Sequence, residues 1–156
     1  MDGQLSHELE LNVPASEAWE FYSTLKLAKL VEEQFDFIEK AEVLEGDGGV
    51  GTIIGLTFAP GIPGPVGYKE KFTKLDNENR VKEAEVVEGG YLDLGFTLYR
   101  VRFEVIEKGE DSSIIRNTIE YTVKEEAAAN ASFVSIEPLA DIAELVKNHL
   151  AKNKTS

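Results

Sequence analysis

The chain has 156 residues, the size of one domain with a substantial core, and it contains no cysteine. The lack of cysteine excludes disulfide bonds, thiol chemistry and cysteine-ligated metals. The formal net charge of −13 opposes binding to nucleic-acid phosphates and raises the local concentration of small cations. No segment is apolar for the roughly 20 residues that a membrane span needs. We therefore expect one domain over residues 1–156, with no nucleic-acid or membrane partner.

The chain begins with a strand pattern followed by two helix patterns. Apolar residues at every second position predict a strand with one buried face, at Leu5, Leu9, Leu11 and Val13. Pro14 ends this strand, and apolar residues at helical spacing predict short helices over residues 16–23 and 25–33.

Six more strand patterns come next, separated by turn residues such as the glycine-rich segment 45–51 and the proline loop 60–65. They cover residues 37–44, 52–58, 68–75, 81–87, 91–106 and 113–123. Residues 125–152 are predicted to be helical with one apolar face and a kink at Pro138. Sequential antiparallel strands with one long amphipathic helix predict an α+β fold, in which a seven-stranded curved sheet wraps around the C-terminal helix.

The strand over residues 91–106 shows clearly which side chains face inward. The odd positions from Tyr99 to Val105 are apolar, whereas Arg100, Arg102 and Glu104 between them are charged. Successive side chains of a strand point to opposite faces, so the odd positions are predicted to face the interior.

Strand alternation gives an unusual result for the predicted strands 68–75 and 81–87. In each of them, one charged residue lies on the more apolar face. Glu70 lies between Tyr68 and Phe72, and Lys82 shares its face with Ala84. Since these strands form a hairpin, Glu70 and Lys82 could lie on one inward surface beside Tyr68. A lysine in apolar surroundings has a lowered pKa and can transfer protons or attack a carbonyl, and a carboxylate beside it can act as a general base.

An alternative remains open at this stage. Edge strands often carry mixed faces, from which a lysine extends to water. Val81 and Val87 at odd positions also leave the inward face of the second strand undecided.

Other candidate sites are weaker. The segment 46–51 resembles a phosphate-binding loop but lacks the Lys-Ser/Thr pair and does not open a helix. His7 and His149 are far apart in sequence, and neither has the spacing of metal ligands. We therefore predict no metal site.

Three segments resemble the plant pathogenesis-related class-ten proteins, the birch-pollen-allergen superfamily. They are Glu-Gly-Asp-Gly-Gly-Val-Gly-Thr at 45–52, Tyr-Lys-Glu-Lys-Phe at 68–72, and Val-Glu-Gly-Gly-Tyr-Leu-Asp-Leu-Gly at 87–95. The resemblance extends from Leu5 to about Leu150. It implies the helix-grip fold, with two short helices after the first strand and a pocket for small molecules.

Within the superfamily, the chain is most similar to norcoclaurine synthases and their monocot relatives, the norbelladine synthases. Residues 6–10, 61–64 and 128–133 carry this likeness. It implies a condensing lyase of alkaloid biosynthesis that joins an arylethylamine (dopamine or tyramine) to an aromatic aldehyde of the 4-hydroxyphenylacetaldehyde type, without cofactor or metal. It also implies a plant protein that is a monomer or weak homodimer. We expect a cytoplasmic location, since no signal peptide precedes the first strand; secretion or vacuolar targeting would require a segment ahead of Met1.

The family's catalytic residues match Lys82, Glu70 and Tyr68, the trio raised by the strand faces. In the mechanism that the resemblance implies, Lys82 protonates the aldehyde-derived oxygen, Glu70 removes a proton and Tyr68 shapes the mouth. The expected pocket is lined by Tyr99, Val101, Phe103, Ala84, Leu56, Phe72, Phe133, Ile136 and Leu139.

One position departs from the norcoclaurine synthase pattern. Val101 stands where that pattern has an aspartate that orients the substrates, two residues after the tyrosine that matches Tyr99. The resemblance implies Pictet–Spengler cyclisation as the function, and Val101 leaves two alternatives. They are imine formation without cyclisation, as in the norbelladine branch, and non-catalytic carriage of plant hormones or other hydrophobic ligands. A ribonuclease-like defence role conflicts with the charge of −13.

Overall fold

The structure is a computed structural model that describes residues 1–154, and its centre is one antiparallel sheet of seven strands. The strands are β1 (Asp2–Leu11), β2 (Ile38–Glu45), β3 (Ile53–Phe58), β4 (Gly67–Asp76), β5 (Val81–Gly89), β6 (Phe96–Gly109) and β7 (Ser112–Val123). They lie in the order β1-β7-β6-β5-β4-β3-β2, so β1 and β2 form the two edges. The predicted seven-stranded curved antiparallel sheet is confirmed.

Three helices cover one face of this sheet. Helices α1 (Ala15–Tyr22) and α2 (Lys26–Gln34) follow β1 as predicted, and α3 (Glu137–Lys154) packs against β1, β7 and both short helices. The main core lies between them and includes Tyr22, Ile115 and Val146, none of which is more than 1% exposed. No helix within residues 1–154 is long and apolar enough to cross a membrane.

The prediction of one kinked helix over residues 125–152 was wrong. Glu125–Phe133 forms a 3₁₀ helix, Val134 is extended, and α3 begins only at Glu137. Pro138 therefore lies in the first turn of α3, where its missing N–H costs no intrahelical hydrogen bond and causes no kink.

The predicted start of the long strand was also wrong. Gly90–Leu94 forms a 3₁₀ helix, and β6 begins at Phe96. The reason is the backbone of Gly89, Gly90 and Gly95, whose positive φ angles of 74°, 56° and 95° interrupt an extended chain.

The two faces of β6 follow the predicted alternation. Tyr99 and Val101 on the inner face are each 5% exposed. On the outer face, Arg100 pairs with Glu85, and Arg102 bridges carboxylates on both neighbouring strands. The apolar positions of β6 are thus available to line the space between the sheet and the helices.

Candidate active site

Tyr68 and Glu70 of β4 and Lys82 of β5 lie on the inner face of the sheet and line one cavity. Tyr68 and Glu70 are two residues apart, so strand alternation gives them the same face. Two register shifts in the pairing of β4 with β5, one between Lys69 and Glu70 and one between Phe72 and Lys74, place Glu70 opposite Val86 and Lys82 opposite Leu75. The structure therefore brings together the three polar side chains, with the two charged groups placed diagonally across the hairpin.

The side chain of Lys82 is enclosed, at 3% exposure. Its Nζ lies 3.8 Å from the centroid of the Phe72 ring, a cation–π contact. Within residues 1–154 this ammonium group forms no ion pair or hydrogen bond, although it borders the cavity. Burial lowers the pKa of Lys82 to about 8, against the opposing influence of the negative charge of Glu70.

Glu70 is the matching acidic group of the cavity. Burial raises the pKa of the Glu70 carboxyl to about 7, and Lys82 opposes that rise. The charge of each group changes the pKa of the other, so the observed titration steps belong to the pair rather than to either residue alone. Near neutral pH the pair can hold one proton on either member, as acid–base catalysis requires.

Three tyrosine rings stand beside the pair. The rings of Tyr91 and Tyr99 stack with centroids 3.9 Å apart, and the Tyr68 ring lies 6.0 Å from that of Tyr91. Burial raises the pKa of all three phenols, so they stay protonated at neutral pH and can donate hydrogen bonds to a ligand.

The cavity that these residues border has a volume of about 120 Å³ and lies between the inner face of the sheet, α2 and α3. Its walls are mostly aliphatic and aromatic, as in small-molecule sites generally. Besides the trio, the predicted pocket residues on its wall are Tyr99, Val101, Phe103, Leu56, Phe72 and Leu139.

Three predicted pocket residues lie elsewhere. Ala84 is 1% exposed and packs beside Ile54 in a buried cluster behind the wall. Phe133 is 38% exposed and borders a neighbouring cleft. Ile136 packs against the aromatic cluster around Tyr91. The prediction placed Phe133 and Ile136 on one continuous helix. The chain is not helical between residues 133 and 137, and this interruption explains why both side chains lie outside the cavity wall.

A neighbouring cleft of about 290 Å³ adjoins the cavity, and we refer to it as the mouth. One side is the proline loop with Ile62, Pro63 and Pro65, and the other is the N-terminal part of α3 with Glu137 and Asp141. The cavity and the mouth are adjacent, because six residues border both, namely Phe35, Phe37, Phe58, Tyr91, Ser135 and Pro138.

Sequence reasoning missed the aromatic junction between these two spaces. Phe37 packs against Phe35 at 5.7 Å and against Phe58 at 5.0 Å between ring centroids, and Phe58 contacts the Tyr68 ring at 5.4 Å. Two features of the sequence could have indicated this junction. Phe37 and Phe58 stand at the ends of predicted strands, and Tyr91 follows a Gly-Gly pair. Alternation alone could not show that these strand ends meet.

The glycine-rich turn does not form a phosphate cradle. The amide of Gly48 donates to Thr52 Oγ1 at 2.8 Å, and that of Gly49 donates to Asp47 Oδ1 at 3.2 Å. These donors are therefore occupied within the turn. In the described part of the chain, no three His, Asp or Glu side chains are grouped so as to hold a metal ion.

The family of this chain follows from its sequence as well as from the curved sheet packed around the C-terminal helix. The chain belongs to the pathogenesis-related protein Bet v 1 family, which it matches over residues 1–153. It is 53% identical to the norbelladine synthase of Narcissus pseudonarcissus over 157 residues, covering 100% of this chain and 96% of that protein. It is 40% identical to the S-norcoclaurine synthase of Thalictrum flavum subsp. glaucum over 153 residues, covering 97% and 72%.

Solved structures give the same relationship. A point mutant of Thalictrum flavum norcoclaurine synthase bound to a transition-state analogue superimposes with a TM-score of 0.91 at 40% identity, covering 99% of this chain and 97% of that one. The same enzyme in complex with dopamine and hydroxybenzaldehyde gives a TM-score of 0.88 at 40% identity, covering 97% and 88%. This chain is thus similar to enzymes of alkaloid biosynthesis.

Proposed function

We propose that this protein is a cofactor-independent enzyme that condenses an arylethylamine with an aromatic aldehyde to an imine. The observation that carries the proposal is the pair formed by buried Lys82 and half-buried Glu70, which borders an aromatic-walled cavity. The 53% identity to a norbelladine synthase supports the imine-forming reaction. Val101 supports it as well, because the wall has no second carboxylate at that position to hold a substrate for ring closure.

In the proposed addition step, the neutral amine attacks the carbonyl carbon. Lys82, as ammonium, gives a proton to the developing alkoxide, and Glu70, as carboxylate, takes a proton from the new C–N nitrogen. The product is a carbinolamine, with Lys82 neutral and Glu70 protonated. Enclosure by the aromatic walls holds the two reactants together.

The dehydration step restores both groups. Glu70 gives its proton to the carbinolamine hydroxyl, which leaves as water, and an iminium forms. Lys82 takes the iminium N–H proton, so imine and water are the products and the starting protonation states return. Tyr68 donates a hydrogen bond near the mouth without changing its own protonation state.

A second candidate is norcoclaurine synthase-like cyclisation. It is favoured by the position of Glu70, whose pKa of about 7 suits a base that removes the ring proton after the catechol has closed onto the iminium. The 40% identity to norcoclaurine synthase also supports it. The two candidates share the Lys82-dependent imine step and differ in whether the iminium is released as imine or closes into a ring.

The test is incubation with tyramine or dopamine and either 3,4-dihydroxybenzaldehyde or 4-hydroxyphenylacetaldehyde, with a borohydride reductant added in parallel to trap imine. We expect reduced imine to accumulate faster than in buffer, as measured by chromatography and mass spectrometry. Product at the buffer rate, together with tight binding of hydrophobic ligands, would instead identify a carrier.

Replacing Lys82 with methionine tests the assignment of the acid. Lys82→Met keeps the length and apolar contacts of the side chain but removes the proton donor, so we expect kcat to fall by about 10²- to 10⁴-fold. The matched control is Lys71→Met, because Lys71 is an exposed residue of β4. A Lys82→Met protein that retains wild-type kcat would refute the role of Lys82.

A further inference from the structure

Asn117 is a polar residue at the centre of β7, and its side chain is 0% exposed. It shares the inner face of the sheet with Ile115 and Ile119, because it lies two residues from each. Its Nδ2 donates a hydrogen bond of 3.3 Å to the main-chain oxygen of Leu139 in α3. We call this contact the Asn117 bridge, since it joins the sheet to the N-terminal part of the C-terminal helix.

The part of α3 that the bridge holds has less apolar anchoring than the rest of the helix. No side chain of residues 137–142 is fully buried, and the first buried residue of α3 is Ala143. Val146 and Leu150 continue this buried row and belong to the main core. Since burial of apolar surface is what mainly holds a helix to a sheet, the first turns of α3 depend more on the bridge than the later turns do.

The same first turns form one wall of the cavity. Pro138, Leu139 and Ile142 border it from the helix. Phe103, which is the residue opposite Asn117 on β6, borders it from the sheet. The bridge therefore runs between two walls of the cavity, and its length contributes to the distance that separates them.

The stability of the fold does not explain why an asparagine stands at this position. Its Oδ1 is buried and has no hydrogen-bond partner within residues 1–154. A buried acceptor without a partner is costly, and a leucine of the same branched shape would avoid that cost. The main-chain oxygen of Leu139 also accepts the N–H of Ala143 within the helix, so it needs no second donor.

We propose that Asn117 is a positioning residue, which holds the first turns of α3 at a fixed distance from the sheet and so keeps the cavity narrow enough to hold reactants together. It touches no reacting atom in this role and acts through the backbone of Leu139. The effect on the reaction rests on the proposed function, whereas the effect on α3 does not.

The first test is Asn117→Leu, which keeps the branched shape of the side chain but removes the donor. Hydrogen exchange over residues 139–145, measured by mass spectrometry, should become about 5-fold faster or more, because the first turns of α3 open more often. Exchange over residues 146–150 should stay unchanged. Misplacement of the cavity wall should lower kcat by about 10-fold and change KM less. The melting temperature should not fall, because no buried group loses its last partner.

The matched control is Thr118→Val, because Thr118 is the next residue of β7, is 3% exposed and points to the opposite face of the sheet. This variant also replaces a buried polar side chain by an apolar one of the same shape, and it should exchange and react as the wild type does. A lower melting temperature with unchanged kcat in Asn117→Leu would show a purely structural role and overturn the proposal. Unchanged exchange over residues 139–145 would overturn it as well.

A second variant, Asn117→Thr, covers the case in which leucine overpacks the site. Threonine has nearly the volume of asparagine, but its hydroxyl is one bond closer to the backbone than Nδ2, so the bridge is again lost. Wild-type exchange and kcat in a folded Asn117→Thr protein would refute the role of the bridge. If the wild-type protein forms no product above the buffer rate, the proposed function fails, and the exchange measurements still decide whether Asn117 positions α3.

Discussion

Val101 is the residue whose chemistry separates the candidate functions. It is 5% exposed on the inner face of β6, between Ala84 on β5 and Ile119 on β7. An aspartate there would place a second carboxylate in the cavity, in the position where the norcoclaurine synthase pattern has one. Burial of that charge costs stability, so the gain in substrate orientation is opposed by a loss in folding free energy.

We therefore predict that Val101→Asp raises the fraction of cyclised product formed from dopamine and 4-hydroxyphenylacetaldehyde, measured by chiral chromatography against the trapped imine. The free energy of unfolding should fall by about 1–3 kcal/mol, because a buried polar group is left incompletely paired. Val101→Asn is the control of equal size without charge. An equal gain with asparagine would show that charge is not the cause, and no gain with either variant would show that another residue limits ring closure.

The Lys82–Glu70 pair gives a second prediction, a bell-shaped pH profile of kcat/KM for the aldehyde. The rate should rise with pH through about 7 as Glu70 loses its proton, and fall through about 8 as Lys82 loses its own. The two limbs belong to the coupled pair, so their midpoints need not match either residue alone.

Glu70→Gln tests the assignment of the acidic limb. It should remove the rise near pH 7 and leave a rate that only falls at higher pH. If the rise persists in this variant, a different group titrates there.

Sequence alternation could predict that Glu70 and Lys82 share one inward face, because a strand has only two faces. It could not predict that Nζ of Lys82 lies over the Phe72 ring or that Tyr91 stacks on Tyr99, since these contacts depend on the register shifts between β4 and β5 and on the turn before β6. The identities of the groups were thus available from sequence, whereas their surroundings were not.

At the scale of elements, the turn between β5 and β6 positions Tyr68. Gly90 has a φ of +56°, and a Cβ added to it would lie 2.7 Å from Cβ of Tyr68. The missing side chain lets the turn approach β4 closely and leaves the Tyr68 ring between those of Phe58 and Tyr91. A glycine in a turn therefore determines where a candidate site residue lies.

We predict that Gly90→Ala lowers kcat/KM by about 10-fold or more, because a displacement of about 1 Å is enough to disturb an enclosed site. The matched control is Gly51→Ala, which also has a positive φ, of +96°, but whose added Cβ would meet no atom within 4 Å. Backbone strain should destabilise both variants, and only Gly90→Ala should lose activity when assayed below its unfolding temperature. Equal loss in both would show that Tyr68 is not displaced by the clash.

The elements that sequence patterns mislocated are those in which backbone conformation overrides side-chain spacing. Leu92 and Leu94 alternate with Asp93 and Gly95 as in a strand, yet glycines on both sides turn the chain into a 3₁₀ helix. Likewise, residues 125–133 have helix-favouring composition, but the chain becomes extended at Val134 before α3 begins. Periodicity predicts which residues are buried better than it predicts where an element begins.

At the scale of the whole molecule, the helices and the sheet share one core, and we propose that the chain unfolds as a single unit. Trp19 of α1 donates from Nε1 to Asn77 Oδ1 at 3.0 Å, which links the first helix to the turn between β4 and β5. Since Trp19 is the one tryptophan of the chain, tryptophan fluorescence reports on the surroundings of α1 at this link.

Urea unfolding followed by Trp19 fluorescence and by far-ultraviolet circular dichroism should therefore give coincident transitions, as two-state unfolding requires. The two midpoints should agree within experimental error. A fluorescence transition that comes first would show that α1 and α2 separate from the sheet before it unfolds.

The enclosure of Lys82 also protects the chain from unwanted chemistry. An amine with a pKa of about 8 is more often in its reactive, unprotonated form than an ordinary lysine at the same pH, and on an open surface it would be modified first by sugars and other carbonyl compounds in its surroundings. Its 3% exposure limits these encounters to molecules small enough to enter the cavity. The burial that lowers the pKa of Lys82 therefore also limits which electrophiles reach its Nζ.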